Sequence, residues 1–329
     1  MPKVSVVLTS YNHEKYIREA IDSVLSQTYN DFELIIWDDA STDNSWDIIN
    51  RYNDKRIIKF RNEYNRRAVY AINNSISEVA KGEYIAIHHS DDVWEPAKLE
   101  KQVEFLDNNQ GYGAVFTMAS IIEENGNCFS DNTHLYYSIF KQSNKNRFEW
   151  LRHFFYKGNA LCHPSVLIRK NCFNECGFYR AGLAQLLDFD MWIRLCLKYE
   201  IYVIQDKLVR FRVRANRANA SGNRPEVITR DSNEWLIIAK NFLQISSYDD
   251  TVKTFPSAVK YYSPKGFNAK FIMSMIFLFD GKNKKQYLTL ALETLFDLIF
   301  NPELANKIKE IYDFDYISLI KLTDKFNIF

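Results

Sequence analysis

Within its first hundred residues the chain repeats one device: a short apolar, β-branched run that stops in polar residues. Residues 4–9 (VSVVLT) end at Ser10-Tyr11-Asn12, and 32–37 (FELIIW) end at Asp38-Asp39. Residues 56–60 are a third, more polar run, and 83–88 (EYIAIH) end in His89-Ser90-Asp91-Asp92. Such runs, bounded by turn residues, read as buried strands. Helical patterns lie between them. Ile17, Ala20, Ile21, Val24 and Leu25 share one face of 14–27; Trp46 and Ile49 share a face behind a Ser41-Thr42-Asp43 cap; 69–79 is a third helix. Alternating strands and helices make a mostly parallel α/β sheet flanked by helices. Crossovers in such sheets are right-handed, and ligands gather beyond the carboxyl ends of the strands. The polar clusters stand at those ends.

Farther along the pattern loosens. Residues 113–123 and 163–169 read as strands, and 125–147 as a polar, irregular excursion. Residues 188–199 form an amphipathic helix with Trp192, Leu195 and Cys196 inward. The alternation over 202–213 predicts an antiparallel strand. The run 214–224 (RANRANASGNR) has no apolar anchor and reads as a mobile loop that closes over a substrate. From about 226 onward the chain reads as helical. The expected division is therefore a catalytic domain over 1–225 and a helical C-terminal region over 226–329. That region holds an apolar run at 271–279, basic Lys282, Lys284 and Lys285, and a Leu/Phe-rich stretch at 288–300. Its expected roles are acceptor docking, peripheral contact with a membrane surface, or self-association into a homo-oligomer. The run 271–279 is too short to span a bilayer.

Composition narrows the function classes. With 42 basic and 41 acidic residues, the chain has no bulk charge for nucleic acid. Five irregularly spaced cysteines argue against a disulfide framework and for reduced thiols in the cytoplasm. The opening MPKVSVVLTSYN reads as a strand rather than a signal peptide.

The chain has neither a G-x-G-x-x-G nor a G-x-x-x-x-G-K-[ST] loop. Phosphate charge must then be met by a metal or by Arg and Lys. Asp91 and Asp92 are hard oxygen ligands suited to Mg²⁺ or Mn²⁺. A helix cap before Pro96 accounts for one of the two aspartates, not both.

Three motifs in order carry a resemblance: VSVVLTSYNHEKYIREAIDSVLSQTYNDFELIIWDDASTDNS, KGEYIAIHHSDDVWEPAKLEKQ and LLDFDMWIRLC. Together the chain resembles a family-2 glycosyltransferase of the A-type glycosyltransferase fold over about 1–215. The resemblance implies inverting transfer of a sugar from a nucleoside-diphosphate sugar, expected to be a UDP-sugar. The acceptor would be a hydroxyl of a surface glycan, a lipid-linked oligosaccharide or a protein. It implies that Thr9 and Tyr11 line the base, that Asp39 meets the uracil edge, and that Asp38 supports the turn. Asp91 would contact the ribose and, with Asp92, the Mn²⁺ or Mg²⁺. Asp188 would be the catalytic base. Three positions depart from the family pattern. His89 stands where an Asp is usual, Asn65-Arg66-Arg67 replaces Asn-x-Gly, and Leu187-Asp188 replaces Glu-Asp. Arg67 is a candidate for the phosphates. Asp190 rivals Asp188 as base, with a helix cap as its other reading. A sugar nucleotidyltransferase and a non-catalytic sugar-nucleotide binder remain alternatives.

Overall fold

The computed structural model describes residues 1–129, 134–215, 218–219, 222, 224–281 and 284–326. In chain order it begins with β1 (Val4–Ser10), α1 (Ile17–Leu25), β2 (Phe32–Asp38), α2 (Ser45–Asn50), β3 (Ile57–Arg61), α3 (Ala68–Asn74), β4 (Tyr84–His89) and β5 (Val93–Trp94). It continues through α4 (Lys98–Asn108), β6 (Tyr112–Ile122), α5 (Leu135–Ile139), α6 (Arg147–Lys157), β7 (Leu167–Arg169), α7 (Cys172–Cys176), α8 (Leu187–Cys196) and β8 (Glu200–Arg212). Six helices follow: α9 (Pro225–Ala239), α10 (Tyr248–Thr254), α11 (Ala269–Phe279), α12 (Lys285–Phe300), α13 (Pro302–Tyr312) and α14 (Tyr316–Thr323).

The strands form one sheet in the order β3-β2-β1-β4-β7-β6-β8-β5. β1 lies parallel between β2 and β4, and β2 is parallel to β3. β7 is antiparallel to both β4 and β6. Successive side chains of a strand point to opposite faces. Val4, Val6 and Leu8 of β1, with Leu34 and Ile36 of β2, therefore join one cluster with Ile17, Ala20, Ile21 and Val24 of α1 and Leu99 and Val103 of α4. Fully burying a side chain such as Leu8 contributes roughly 1.5–3 kcal/mol of transfer free energy. Val7, Ile35, Ile85 and Ile87, on the opposite parity, are buried as well. The expected helix over 69–79 begins as α3 and finishes in a wider turn over Ser75–Val79, closed by the Ala80 amide on the Ser75 carbonyl at 2.8 Å.

Two expectations need correction. β8 runs parallel to its long partner β6 and antiparallel only to the two-residue β5. Alternation along a strand reports which face is buried, not the direction of its neighbour. The division at 225 is also incomplete. The chain forms two compact units, Met1–Asn146 with Asn159–Val227, and Arg147–Gly158 with Ile228–Phe329. Thus α6 belongs with the C-terminal helices. Its Phe155 ring stacks on Tyr287 at 4.4 Å and meets Phe255, Phe242 and Phe277 within 5.7 Å. Among the described residues no helix is long and apolar enough to cross a membrane.

Candidate active site

Strand register brings the polar clusters together. Thr9 pairs with Trp37 on one side and His89 on the other, and Ser10 pairs with Asp38. The carboxyl ends of β1, β2 and β4 thus carry Thr9, Asp38-Asp39 and the His89–Asp92 segment along one edge. Tyr11 follows at the end of β1 and stays 43% exposed.

The two aspartates after β2 divide their work. Asp38 is fully buried and accepts from the Ser41 amide through both oxygens, at 3.1 and 3.3 Å. Burial raises its pKa against those hydrogen bonds. Asp39 gathers two donors on Oδ1, the Asn62 amide group and the Arg66 backbone N–H, each at 2.7 Å. Asp38 closes the turn, while Asp39 ties β2 to the loop that enters α3.

At the end of β4 the acidic pair is built in from behind. The Arg212 backbone N–H donates to Asp92 Oδ1 at 2.8 Å, and its guanidinium holds the Asp91 carbonyl at 2.7 Å. The same guanidinium holds the Glu123 and Glu124 carbonyls and the Glu19 carboxylate. Among the described residues, Asp92 Oδ2 is buried and has no hydrogen-bond partner, and His89 Nδ1 lies 3.4 Å from it. Asp91 keeps 13% exposure, with Arg214 Nη1 3.8 Å from its carboxylate. Arg214 also reaches His13 Nε2 at 2.8 Å, and His13 Nδ1 meets Ser90 Oγ at 2.7 Å. One donor atom from each of His89, Asp91 and Asp92 lies within 4.8 Å of the others. A buried, unpaired carboxylate oxygen is costly unless a cation meets it. The residues present therefore fit a divalent metal.

The β4 end continues inward as a chain of rings. His89 Nε2 lies 3.2 Å from His163 Nδ1, and His163 Nε2 lies 3.1 Å from Tyr179 Oη. Burial opposes charge on the His89 ring, but Asp92, Asp91 and Asp188 outweigh it and raise its pKa. Burial keeps His163 neutral, with its pKa well below the ordinary value.

The two aspartates of α8 stand in different surroundings. Asp190 is fully buried between Arg180 and Arg194, with ion pairs of 2.8 Å to each. It is a structural counter-ion rather than a cap. Asp188 instead accepts from Asn159 Nδ2 at 3.0 Å and from the Phe189 amide at 2.7 Å. Burial raises its carboxyl from 3.8 to about 6, and those two hydrogen bonds pull the other way. Asp188 and His89 are close enough for each to shift the other's titration.

Arg67 has an exposed side chain and a backbone φ of +69°. This is where the family pattern has glycine, and a non-glycine residue there is strained by about 1–3 kcal/mol. Arg66 takes a different course, lying 3.6 Å over the Tyr70 ring. Of the 214–224 loop, residues 216, 217, 220, 221 and 223 lie outside the described residues, as do 130–133 of the polar excursion.

A family model described as glycosyl transferase family 2 matches residues 5–169, half of the chain. The chain belongs to this family. A relative of this glycosyltransferase, an uncharacterized glycosyltransferase of Methanocaldococcus jannaschii, is 34% identical over 223 residues, covering 66% of this chain and 73% of that one. The Escherichia coli UDP-Glc:alpha-D-GlcNAc-diphosphoundecaprenol beta-1,3-glucosyltransferase WfaP is 43% identical over 110 residues, 33% of this chain and 43% of its own. Among solved structures, Staphylococcus aureus TarS 1–349 in complex with UDP-GlcNAc superposes with a TM-score of 0.61 at 17% identity, covering 93% of this chain and 83% of that one. The Pyrobaculum calidifontis mannosyltransferase PcManGT, in complex with GDP-Man and Mn²⁺, gives 0.52 at 14% identity, covering 90% and 88%. The A-type fold expected from the motifs is thus the fold of the glycosyltransferase.

Reading the sequence of this family-2 enzyme missed Asn159, His163, Tyr179 and the clamp made by Arg212. None sits in the three motifs. His163 carries one local signal: it immediately precedes a proline in a short turn just before β7.

Proposed function

We propose that this glycosyltransferase moves a sugar from a UDP-sugar to an acceptor hydroxyl with inversion, using Asp188 as general base. The observation that carries this reading is the contrast on α8. Asp190 is neutralised by two arginines, while Asp188 is partly buried, forms no salt bridge among the described residues, and is raised to about 6. A carboxylate with that pKa is ionised at neutral pH yet basic enough to accept a proton as the acceptor oxygen attacks. The bond from the anomeric carbon to the diphosphate breaks as the new glycosidic bond forms on the opposite face.

The donor is held by groups at the strand ends. Thr9 and Tyr11 line the base, Asp39 meets the uracil edge, Asp91 the ribose, and Arg67 the diphosphate. Asp91 and Asp92 hold Mn²⁺ or Mg²⁺, supported by the orphaned Asp92 oxygen. Bound there, the metal supplies Lewis acidity and charge neutralisation for the departing diphosphate. The UDP-Glc donor of WfaP and the UDP-GlcNAc bound to TarS support UDP as the nucleotide, and the Mn²⁺ bound to PcManGT supports a metal. WfaP, named for a diphosphoundecaprenol acceptor, favours a lipid-linked oligosaccharide of a surface polysaccharide over a protein acceptor. The thiols of Cys128, Cys162, Cys172 and Cys176, in no disulfide among the described residues, favour a reducing cytoplasmic setting. The helical unit, with Phe296, Phe300, Tyr316, Ile317 and Ile320 exposed, is assigned to acceptor docking, peripheral membrane contact or self-association.

The test is a panel of nucleotide sugars screened for UDP release and thermal stabilisation, with and without Mn²⁺. A UDP-sugar that stabilises the protein and is turned over only with metal supports the reading. Full turnover in excess EDTA overturns the metal, and stabilisation without any turnover leaves a non-catalytic binder.

A further inference from the structure

We infer that His89 is a third metal ligand beside Asp91 and Asp92, making a mixed nitrogen–oxygen site that prefers Mn²⁺ over Mg²⁺. The inference rests on the reading that the two aspartates hold the metal.

His89 is the last residue of β4, so its backbone is fixed by the sheet. Its Nδ1 stands 3.4 Å from Asp92 Oδ2, and that oxygen is buried without a hydrogen bond. This separation is long for an N–H···O bond. It suits two neighbouring donors on one cation, which sit about 3 Å apart when each bond is about 2.1 Å. Asp91 completes the group, with all three donor atoms within 4.8 Å.

The other side of the ring supports the same assignment. Metal-bound histidines almost always donate their second ring N–H to a partner that fixes tautomer and orientation. Here His89 Nε2 faces His163 Nδ1 at 3.2 Å, and His163 Nε2 faces Tyr179 Oη at 3.1 Å. One proton assignment satisfies the two ring contacts and leaves Nδ1 for a cation. His89 Nε2–H donates to His163, His163 Nε2–H donates to Tyr179, and the His89 Nδ1 lone pair is left facing Asp92. His163 is itself held by ring contacts with Tyr179 and Trp192.

The chemical consequence is selectivity. Mg²⁺ favours an all-oxygen octahedron, whereas imidazole suits later divalent metals, and Mn²⁺ accepts a mixed shell. An aspartate at position 89 would restore an all-oxygen site.

The experiment uses the full chain with MnCl₂ and UDP as probes, read by pulsed electron paramagnetic resonance. We expect a ¹⁴N coupling from a directly bound imidazole together with ³¹P coupling from the diphosphate. The ¹⁴N coupling should vanish in His89→Asp and His89→Gln and persist in His163→Gln. Calorimetric competition should show the Mn²⁺-to-Mg²⁺ affinity ratio falling about tenfold in His89→Asp. Wild-type protein with ³¹P but no ¹⁴N coupling overturns the His89 assignment and leaves the aspartate site standing. Loss of ¹⁴N coupling in His163→Gln alone makes His163 the ligand instead. Protein that takes up no Mn²⁺ at millimolar concentration with UDP overturns both the inference and the reading beneath it. The wild-type spectrum decides the ligand question even where a variant fails to fold.

Discussion

Asn159 donates from Nδ2 to Asp188 Oδ2 across 3.0 Å, so a residue just after α6 helps hold a carboxylate on α8. The bond favours the ionised form, while burial favours the neutral one and prevails, at about 6. A base must be ionised to act, so kcat at saturating donor and Mn²⁺ should fall as pH drops through about 6. A hydrogen bond to a charged group is worth ~1.5–3 kcal/mol. Asn159→Ala should therefore move this limb up by about one pH unit or more, at 1.36 kcal/mol per unit. Stability carries the opposite sign: the folded pKa is raised, so the penalty for ionised Asp188 is full above about 6 and relieved toward 3.8. Profiles of wild type and Asn159→Ala that superimpose would contradict the assignment.

The two aspartates of α8 should fail in different assays. Asp188→Asn keeps size and polarity but cannot accept a proton, and should lower kcat by about 10²–10⁴ with donor affinity retained. Asp190→Asn strips the counter-charge from Arg194, which is only 6% exposed. It should cost about 3–5 kcal/mol in denaturant unfolding, as breaking a buried pair does. A stable Asp190→Asn with lost turnover would reverse the roles.

Asp39→Ala should weaken UDP binding about tenfold or more, because a hydrogen bond to a charged group is lost. Mn²⁺ affinity measured without nucleotide should be unchanged. Since Asp39 Oδ1 also holds Asn62 and the Arg66 amide, some affinity loss could come from a loosened loop. Asn62→Ala separates the two: it relaxes the loop and leaves the carboxylate, so UDP affinity should fall less than in Asp39→Ala.

Arg67→Gly should stabilise the fold by about 1 kcal/mol, because glycine tolerates the +69° φ. The same change should raise the Kd for UDP several-fold by removing the guanidinium. Chemical denaturation and calorimetry on one preparation read both. Stability gained with UDP affinity intact would make Arg67 a bystander.

What the sequence disclosed is what local pattern can disclose. Asp39, Asp91 and Asp92 were legible because each follows an apolar run, and a parallel sheet puts such positions on one edge. The partners that give them chemistry were not. His163 lies 74 residues from His89, and Arg212 lies 120 from Asp92. No periodicity links positions so far apart. Asp190 read as a cap because it stands in the first turn of a helix, yet its partners Arg180 and Arg194 make it an ion-pair centre. The direction of β8 stayed hidden for the same reason, since a strand's own alternation is identical whichever way its neighbour runs.

The placement of α6 bears on how such enzymes can be recombined. Its buried residues Trp150, Leu151, Phe154 and Phe155 complete the core of a unit whose remaining helices begin some seventy residues later in the chain. A single crossover near residue 227 between two relatives would pair one parent's α6 with the other parent's helices. Its aromatic ridge would then meet pockets shaped for a different sequence. Exchanging the helical unit as a cassette requires three joints, at both ends of α6 and after residue 227, so the two units are bound to inherit changes together.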